Sequence, residues 1–353
     1  MDVILDYPAL TSREREVLQY VIQNFIITAN PIASKTLVSR HKLNVSPATI
    51  RNAMNSLEHK GYLDHTHISS GRVPTERGYR YYVNLLMKQS ELSKDEKKAL
   101  DAWEEILTSG IEDAVHSATR LLARLSNLLA VVISPKYANG IFRKLELIDL
   151  GAHRLMVVLT IESGIARTVN IEVESELTRD DLDKVSRILN ERLSGLSLYE
   201  IAQKIDDMLA DYKSQDETGL IRVFIDSADT IFEDQQFKRF HFGGVEYIAM
   251  QPEFSDLGNY KSIIEFVENE DLIIHLFENE QNVTEDSVVQ VRIGKENKIQ
   301  QIEHCSVVSA NYAIGNIKGT IGLVGPTRMN YPRMISLVEQ LANRFKSQNK
   351  LYS

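Results

Sequence analysis

A single cysteine, Cys305, stands in the whole 353-residue chain. One thiol cannot close an intrachain disulfide, and it cannot supply the clusters that hold structural zinc or iron–sulfur centres. Its apolar, strand-like surroundings from Ile302 to Val308 make it a small core residue. No apolar run approaches the roughly 18 residues that a membrane-crossing helix needs. The opening MDVILDYPAL lacks the charged region and cleavage signature of a secretory leader, so a cytoplasmic location is expected. Motifs of chemistry are also missing. There is no phosphate loop, no GxSxG and no HExxH, and the nine histidines are scattered without plausible partners. An enzyme is therefore not expected, and no catalytic residue, cofactor or metal site is assigned. Internal repeats and low-complexity tracts are absent too.

What is present suits a soluble protein with a sizeable core: 43% apolar and 25% charged residues, in a length that favours two or three domains. The net charge of −9 is unevenly spread. Thr11 to Lys88 carries eleven Lys/Arg against five Asp/Glu, or +6, which leaves −15 on the remainder. A basic head can meet phosphate while an acidic body repels it.

The stretch ASKTLVSRHKLNVSPATIRNAMNSLEHKG, Ala33 to Gly61, reads as helix, tight turn, helix. Ser46 suits an N-cap and Pro47 the first helical position. Ile50, Met54 and Leu57 form a buried stripe with Ala53 beside it, and Gly61 suits a left-handed C-terminal cap. Ala48, Arg51, Asn52 and Asn55 point away from the stripe, with Thr49 at its edge. Such a small, hydrogen-bonding and cationic face near a helix N-terminus suits base edges in a DNA major groove, where Asn pairs with adenine and Arg with guanine. An ordinary solvated helix face is the plainer alternative, and the packaging around the stretch decides against it.

Before this unit, Thr11 with Glu14 forms a capping box for a helix to Thr28, which Asn30-Pro31 ends. Ser34 then caps a short helix through Leu37 and Val38 to His41. After it, HTHISSGRV from His65 to Val73 reads as a β-hairpin with Ser69-Ser70-Gly71 at its tip. Ser70 and Arg72 there are placed for phosphate or a minor groove. His65 and His67 share strand spacing but lack a third ligand. Thr75 caps the helix TERGYRYYVNLLMK, where two of the tyrosines Tyr79, Tyr81 and Tyr82 are expected to pack inward and Arg77 and Arg80 to lie near the DNA backbone. Lys88 to Lys98 is a charged linker, and Ser93 with Glu96 caps a further helix.

Ile111 to Val132 reads as one long helix, suited to subunit contact or to flanking a sheet. From Phe142 the period becomes that of strands: FRKLELIDL, HRLMVVLTIE and IARTVNIEVE. Helices run from Thr178 to Leu193 and from Leu198 to Tyr212, with a hairpin expected around Gly243-Gly244. Strands resume at Ser287 to Gly294, Gln301 to Ala310 and Gly315 to Gly325, before a last helix from Tyr331 to Lys346. A pause of this kind suggests one α+β domain with a second module inserted in it. The strand-to-helix turn Gly325-Pro326-Thr327-Arg328 offers free amides to an anion; the preferred reading is that Arg328 and Tyr331 fix the last helix to the sheet.

Taken together, LNVSPATIRNAMNSLEHKGYL, SSGRVPTERGYRYYV and GPTRMNYPRMISLVEQLANRF resemble the HrcA family of bacterial heat-inducible transcription repressors, from head to tail. The resemblance implies an α+β multidomain chain: an N-terminal winged helix-turn-helix (1–88), a linker and helix (89–110), and a GAF-like domain in two parts (111–195 and 283–353). An inserted dimerising module is expected at 196–282. Read from the residues themselves, the DNA contacts expected are Ser46, Ala48, Thr49, Arg51, Asn52, Asn55, Ser70, Arg72, Arg77 and Arg80. The resemblance further implies a homodimer on an inverted-repeat operator (CIRCE) ahead of chaperone operons, kept active by a GroEL-type chaperonin and lost on heat stress. The alternative is a ligand-responsive winged-helix repressor that senses a small molecule through its GAF-like domain.

Overall fold

The structure is a computed structural model that describes residues 9–41, 45–65, 71–105, 111–174, 177–213, 216, 218–232, 239–278 and 289–347. The chain opens with helices α1 (Ser12–Thr28), α2 (Ser34–His41) and α3 (Pro47–His59), then strands β1 (Leu63–His65) and β2 (Arg72–Pro74), then helix α4 (Glu76–Tyr81). Thr11 and Glu14 form the expected capping box. Val17, Leu18, Val21 and Ile22 of α1 pack with Leu37, Ile50, Met54, Leu57 and Tyr62 in one core. Ser46 caps α3 by accepting from the Thr49 amide. At its other end Gly61 is left-handed (φ 77°), and Tyr62 N–H donates to the Leu57 carbonyl at 2.9 Å, which closes the last turn. β1 and β2 pair antiparallel, Leu63 with Pro74 and His65 with Arg72. All three of Tyr79, Tyr81 and Tyr82 are buried. Gly78 is required just before them, because a side chain there would collide with the Tyr62 carbonyl.

Next come α5 (Lys94–Glu104), α6 (Ile111–Ser126) and β3 (Leu129–Ile133). The expected helix from Ile111 to Val132 therefore ends six residues early. Asn127 turns the chain left-handed (φ 54°), and the β-branched run Val131-Val132-Ile133 continues as a strand buried on both sides. The chain then builds β4 (Phe142–Gly151), β5 (Arg154–Ile161), β6 (Ala166–Glu172), and helices α7 (Arg179–Leu193), α8 (Leu198–Met208), α9 (Ala210–Lys213), α10 (Leu220–Asp226) and α11 (Ala228–Phe232). It returns through β7 (Phe240–Gly243), α12 (Val245–Ala249), α13 (Leu257–Glu268) and α14 (Glu270–Glu278). It finishes with β8 (Gln290–Ile293), β9 (Cys305–Ile314), β10 (Ile317–Pro326) and α15 (Tyr331–Ser347).

Besides the β1–β2 pair, the described residues form two further sheets. The larger is antiparallel in the order β7-β3-β10-β9-β8, and β4-β5-β6 form a second. Alternate residues of β3 join different cores. Leu129, Val131 and Ile133 pack with Phe266, Ile273 and Phe277 of α13 and α14, while Ala130 and Val132 share a core with Leu337, Leu341 and Phe345 of α15. Helices thus cover both faces, which is why β9 and β10 are buried almost throughout and their burial does not alternate. Cys305 is buried here, its thiol pushed up to about 12 by burial and then by Glu253.

The sheets divide the chain differently from the pause in strand pattern. β3 pairs directly with β7, Ala130 opposite Gly243, and Ser134 N–H donates to the Arg239 carbonyl at 2.9 Å. The chain leaves the main sheet after Ile133 and rejoins it at Phe240, so the inserted segment holds β4–β6 and α7–α11, about residues 141–232. The expected insertion at 196–282 assigned its strands to the main sheet and took α13 and α14 out of it. Gly243 and Gly244 end an edge strand rather than turn a hairpin.

Candidate nucleic-acid interface

Helix α3 presents one face to the core and another to solvent. Ile50, Met54 and Leu57 are buried, whereas Ser46, Ala48, Thr49, Arg51 and Asn52 are exposed. Arg51 and Asn52 make no hydrogen bond or ion pair with another described residue. Their donors and acceptors are free at the amino end of the helix, where the side chains of a helix lying in a groove meet base edges. Asn55, one turn further on, is half-buried and accepts from Arg72 Nη2 at 3.1 Å.

Arg72 does not reach away from the hairpin. Its Nε lies 2.7 Å from Glu58 Oε2, and Glu58 Oε1 is 2.6 Å from His65 Nδ1. One carboxylate on α3 thereby holds both strands of the hairpin against the helix. Arg72 also exchanges two backbone hydrogen bonds with Ile32, each 3.0 Å, so the hairpin is tied to the α1–α2 connection. Glu58 is the residue that the sequence did not single out; a lone carboxylate within a basic segment was the available signal. Glu58, Asp64 and His65 bring three ligand atoms within 4.8 Å of one another, but the Arg72 guanidinium already occupies that charge and opposes a cation. Ser70 and His67 lie outside the described residues.

Arg77 is exposed, with its guanidinium over the Tyr62 ring at 5.1 Å, which leaves its outer edge open to a phosphate. Arg80 is placed elsewhere. It donates to the Val291 carbonyl (2.6 Å) and to Glu296 (Nε to Oε1, 2.9 Å), both in the body. Its side chain is 15% exposed, so in this arrangement it holds head to body and is unavailable to DNA. The expectation that Arg80 lies near the DNA backbone does not fit this conformation.

Other contacts strengthen the same joint. Arg328 Nη1 donates to the Ile26 carbonyl of α1 at 2.7 Å, and its Nε donates to Glu253 at 2.6 Å. Tyr331 Oη sits 2.7 Å from Ser306 Oγ and donates to the Thr327 carbonyl at 2.7 Å. The Gly325–Arg328 turn is therefore bound up in fixing α15 and the head, with its arginine already paired to a carboxylate. Tyr79 and Tyr331 pack ring against ring across the joint, with centroids 5.9 Å apart.

Residues 112–335 match the family model described as HrcA protein C terminal domain. Among curated relatives, the heat-inducible transcription repressor HrcA of Chlorobium chlorochromatii (strain CaD3) is 37% identical over 348 residues, 97% of this chain and 98% of the relative. That of Chlorobium luteolum (strain DSM 273 / BCRC 81028 / 2530) is 38% identical over 344 residues, covering 95% and 96%. A crystal structure described as that of a hypothetical protein covers 98% of this chain and 100% of its own, with a TM-score of 0.69 at 24% identity, and is alike in fold. The three motifs quoted from the sequence and these relatives agree over almost the full length: the chain belongs to the HrcA family of heat-inducible transcription repressors.

Proposed function

We propose that this protein represses transcription by laying α3 in the major groove of operator DNA, as a winged helix-turn-helix whose wing is the β1–β2 hairpin. The observation that carries this reading is the exposed, unengaged pair Arg51 and Asn52 beside Ala48 and Thr49 at the start of α3. Arg51 and Asn52 read bases, Ser46 and Thr49 position the helix, and Arg77 meets the phosphate backbone. Asn55 and Arg72 act indirectly, by setting the angle between helix and wing, and Ser70 contacts the backbone.

The functional unit is a homodimer on an inverted-repeat operator ahead of chaperone operons, with one head per half-site. The inserted segment at about 141–232 supplies the subunit contact. Its strand β4 leaves Ile148 and Leu150 42% and 43% exposed, apolar area that a partner would cover. The large antiparallel sheet with its two helical layers is the GAF-like domain. A GroEL-type chaperonin maintains the folded dimer in the cytoplasm, and heat diverts it to other clients. The protein is a regulator and not an enzyme. Footprinting on DNA upstream of a chaperone operon tests the reading: protection of two symmetric half-sites supports it, and equal protection of unrelated DNA contradicts it.

A further inference from the structure

Head and body enclose a cleft of about 700 Å3. Arg40 and His41 reach it from the end of α2, Tyr82 and Lys88 from the segment after α4, and Asn330 from the turn before α15. The chain has more carboxylates than cations, 49 against 40, yet no Asp or Glu occurs among the described residues that line this cleft. Neither Arg40 nor Lys88 makes an ion pair with any described residue.

Exposed cations are common, and their unpaired charge alone says little. What distinguishes this pair of walls is the buried amide beneath them. Asn24 is 3% exposed; its Oδ1 accepts from Arg40 Nη1 at 2.6 Å, and that donor fixes which end of the amide is oxygen. The Asn24 Nδ2 group then donates to the Tyr20 carbonyl at 2.8 Å and to His41 Nε2 at 2.6 Å. Tyr20 stacks on the His41 ring with centroids 3.9 Å apart. Burial and then the Arg40 charge push the His41 pKa down. The imidazole is neutral at pH 7, accepts at Nε2 and keeps a proton to donate at Nδ1. The remaining guanidinium N–H groups, the imidazole Nδ1–H and the Lys88 ammonium make a donor set with no charged acceptor of its own. Donors of this type, two of them charged and Arg40 held in place by Asn24, suit an oxyanion.

We propose that the cleft binds a small polyanion of the phosphate or pyrophosphate class, with Arg40 and Lys88 as its charge partners and Asn24 as the side chain that positions Arg40 and His41. Head and body both contribute walls, so an occupant stabilises the docked arrangement of the two by mass action. The site is independent of the DNA reading, since its residues lie outside the exposed face of α3.

Isothermal titration of the full-length protein with sodium pyrophosphate at constant ionic strength tests this. The expected result is one saturable site per chain with a Kd below about 1 mM, at least about tenfold weaker in the double variant Arg40→Gln/Lys88→Gln, where two charge partners are gone. Both residues are exposed, so that variant is expected to fold, and a single cooperative melting transition confirms it. Arg51→Ala, on the exposed face of α3, should keep the site while it loses operator affinity. The proposal is overturned by the absence of saturable binding, by binding that survives in the double variant, or by binding that disappears in Arg51→Ala, which would place the anion on the DNA surface.

Discussion

The Glu14 carboxylate ties α1 to the far end of α3. It accepts from the Thr11 amide (2.7 Å), the Ser56 hydroxyl (2.6 Å) and the Lys60 ammonium (2.7 Å). Burial alone would raise its pKa, but the bonds from Lys60, Ser56 and Thr11 outweigh that and hold it down, from 4.5 to about 2. A carboxyl lowered on folding stabilises the folded state fully above its unfolded pKa, and that contribution fades as pH falls from 4.5 toward 2. Acid unfolding of Glu14→Gln should accordingly depend less on pH across this window. At pH 7 the variant should be less stable by about 1–3 kcal/mol, because Lys60 loses its buried partner; equal acid midpoints by circular dichroism would contradict this. Glu58 makes a second residue-scale prediction. Glu58→Ala releases His65 from α3 and leaves Arg72 only its bond to Asn55 there, so operator and scrambled DNA should both bind more weakly, with base preference retained, in a fluorescence-anisotropy titration. Neither role was legible from sequence beyond the capping box. The partners of Glu58 and Arg80 are set by how separate elements dock, and Arg80 meets a carboxylate 216 residues away.

At the scale of elements, local signals served well where a helix carried its own punctuation. Thr11, Ser46, Thr75, Ser93 and Thr178 all cap helices as their side chains suggest. The failures share one cause. The run from Leu128 to Ile133 is apolar at every position, so periodicity cannot tell a buried helix from a doubly covered strand. Strand partnership was equally hidden. FRKLELIDL and the segments within 305–326 all read as strands, yet β10 pairs with β3 and β9 with β10 while FRKLELIDL joins a separate sheet, a pairing fixed by contacts far apart along the chain. The same connectivity yields a prediction. Because Ser134 and Arg239 are hydrogen-bonded neighbours, the inserted segment can be removed and its flanks joined by a short Gly/Ser linker without cutting the main sheet. That product should sediment as a monomer and bind a single half-site weakly; a deletion product that remains dimeric would shift the subunit contact elsewhere.

For the whole molecule, charge and docking act together. The basic head sits on an acidic body, residues 89–353 carrying a net −13, held by Arg80 to Glu296 and by Arg328 to the Ile26 carbonyl. Each phosphate neutralised releases counterion, so operator affinity should fall with salt at a log–log slope near about −0.9 per contact. Chaperonin, on this account, raises the fraction of folded dimer and leaves the operator contacts unchanged. The claim beneath all of this is that the exposed face of α3 reads sequence, and one measurement addresses it most directly: the dissociation constants of wild type and Asn52→Ala for the inverted-repeat operator and for the same duplex with one base pair changed in each half-site. Asn52 is exposed and makes no hydrogen bond with another described residue, so its loss should leave stability intact. The account predicts that the variant loses about 1–3 kcal/mol on the operator and no longer distinguishes the two duplexes at that base pair. Wild-type affinity together with wild-type selectivity in Asn52→Ala would contradict it.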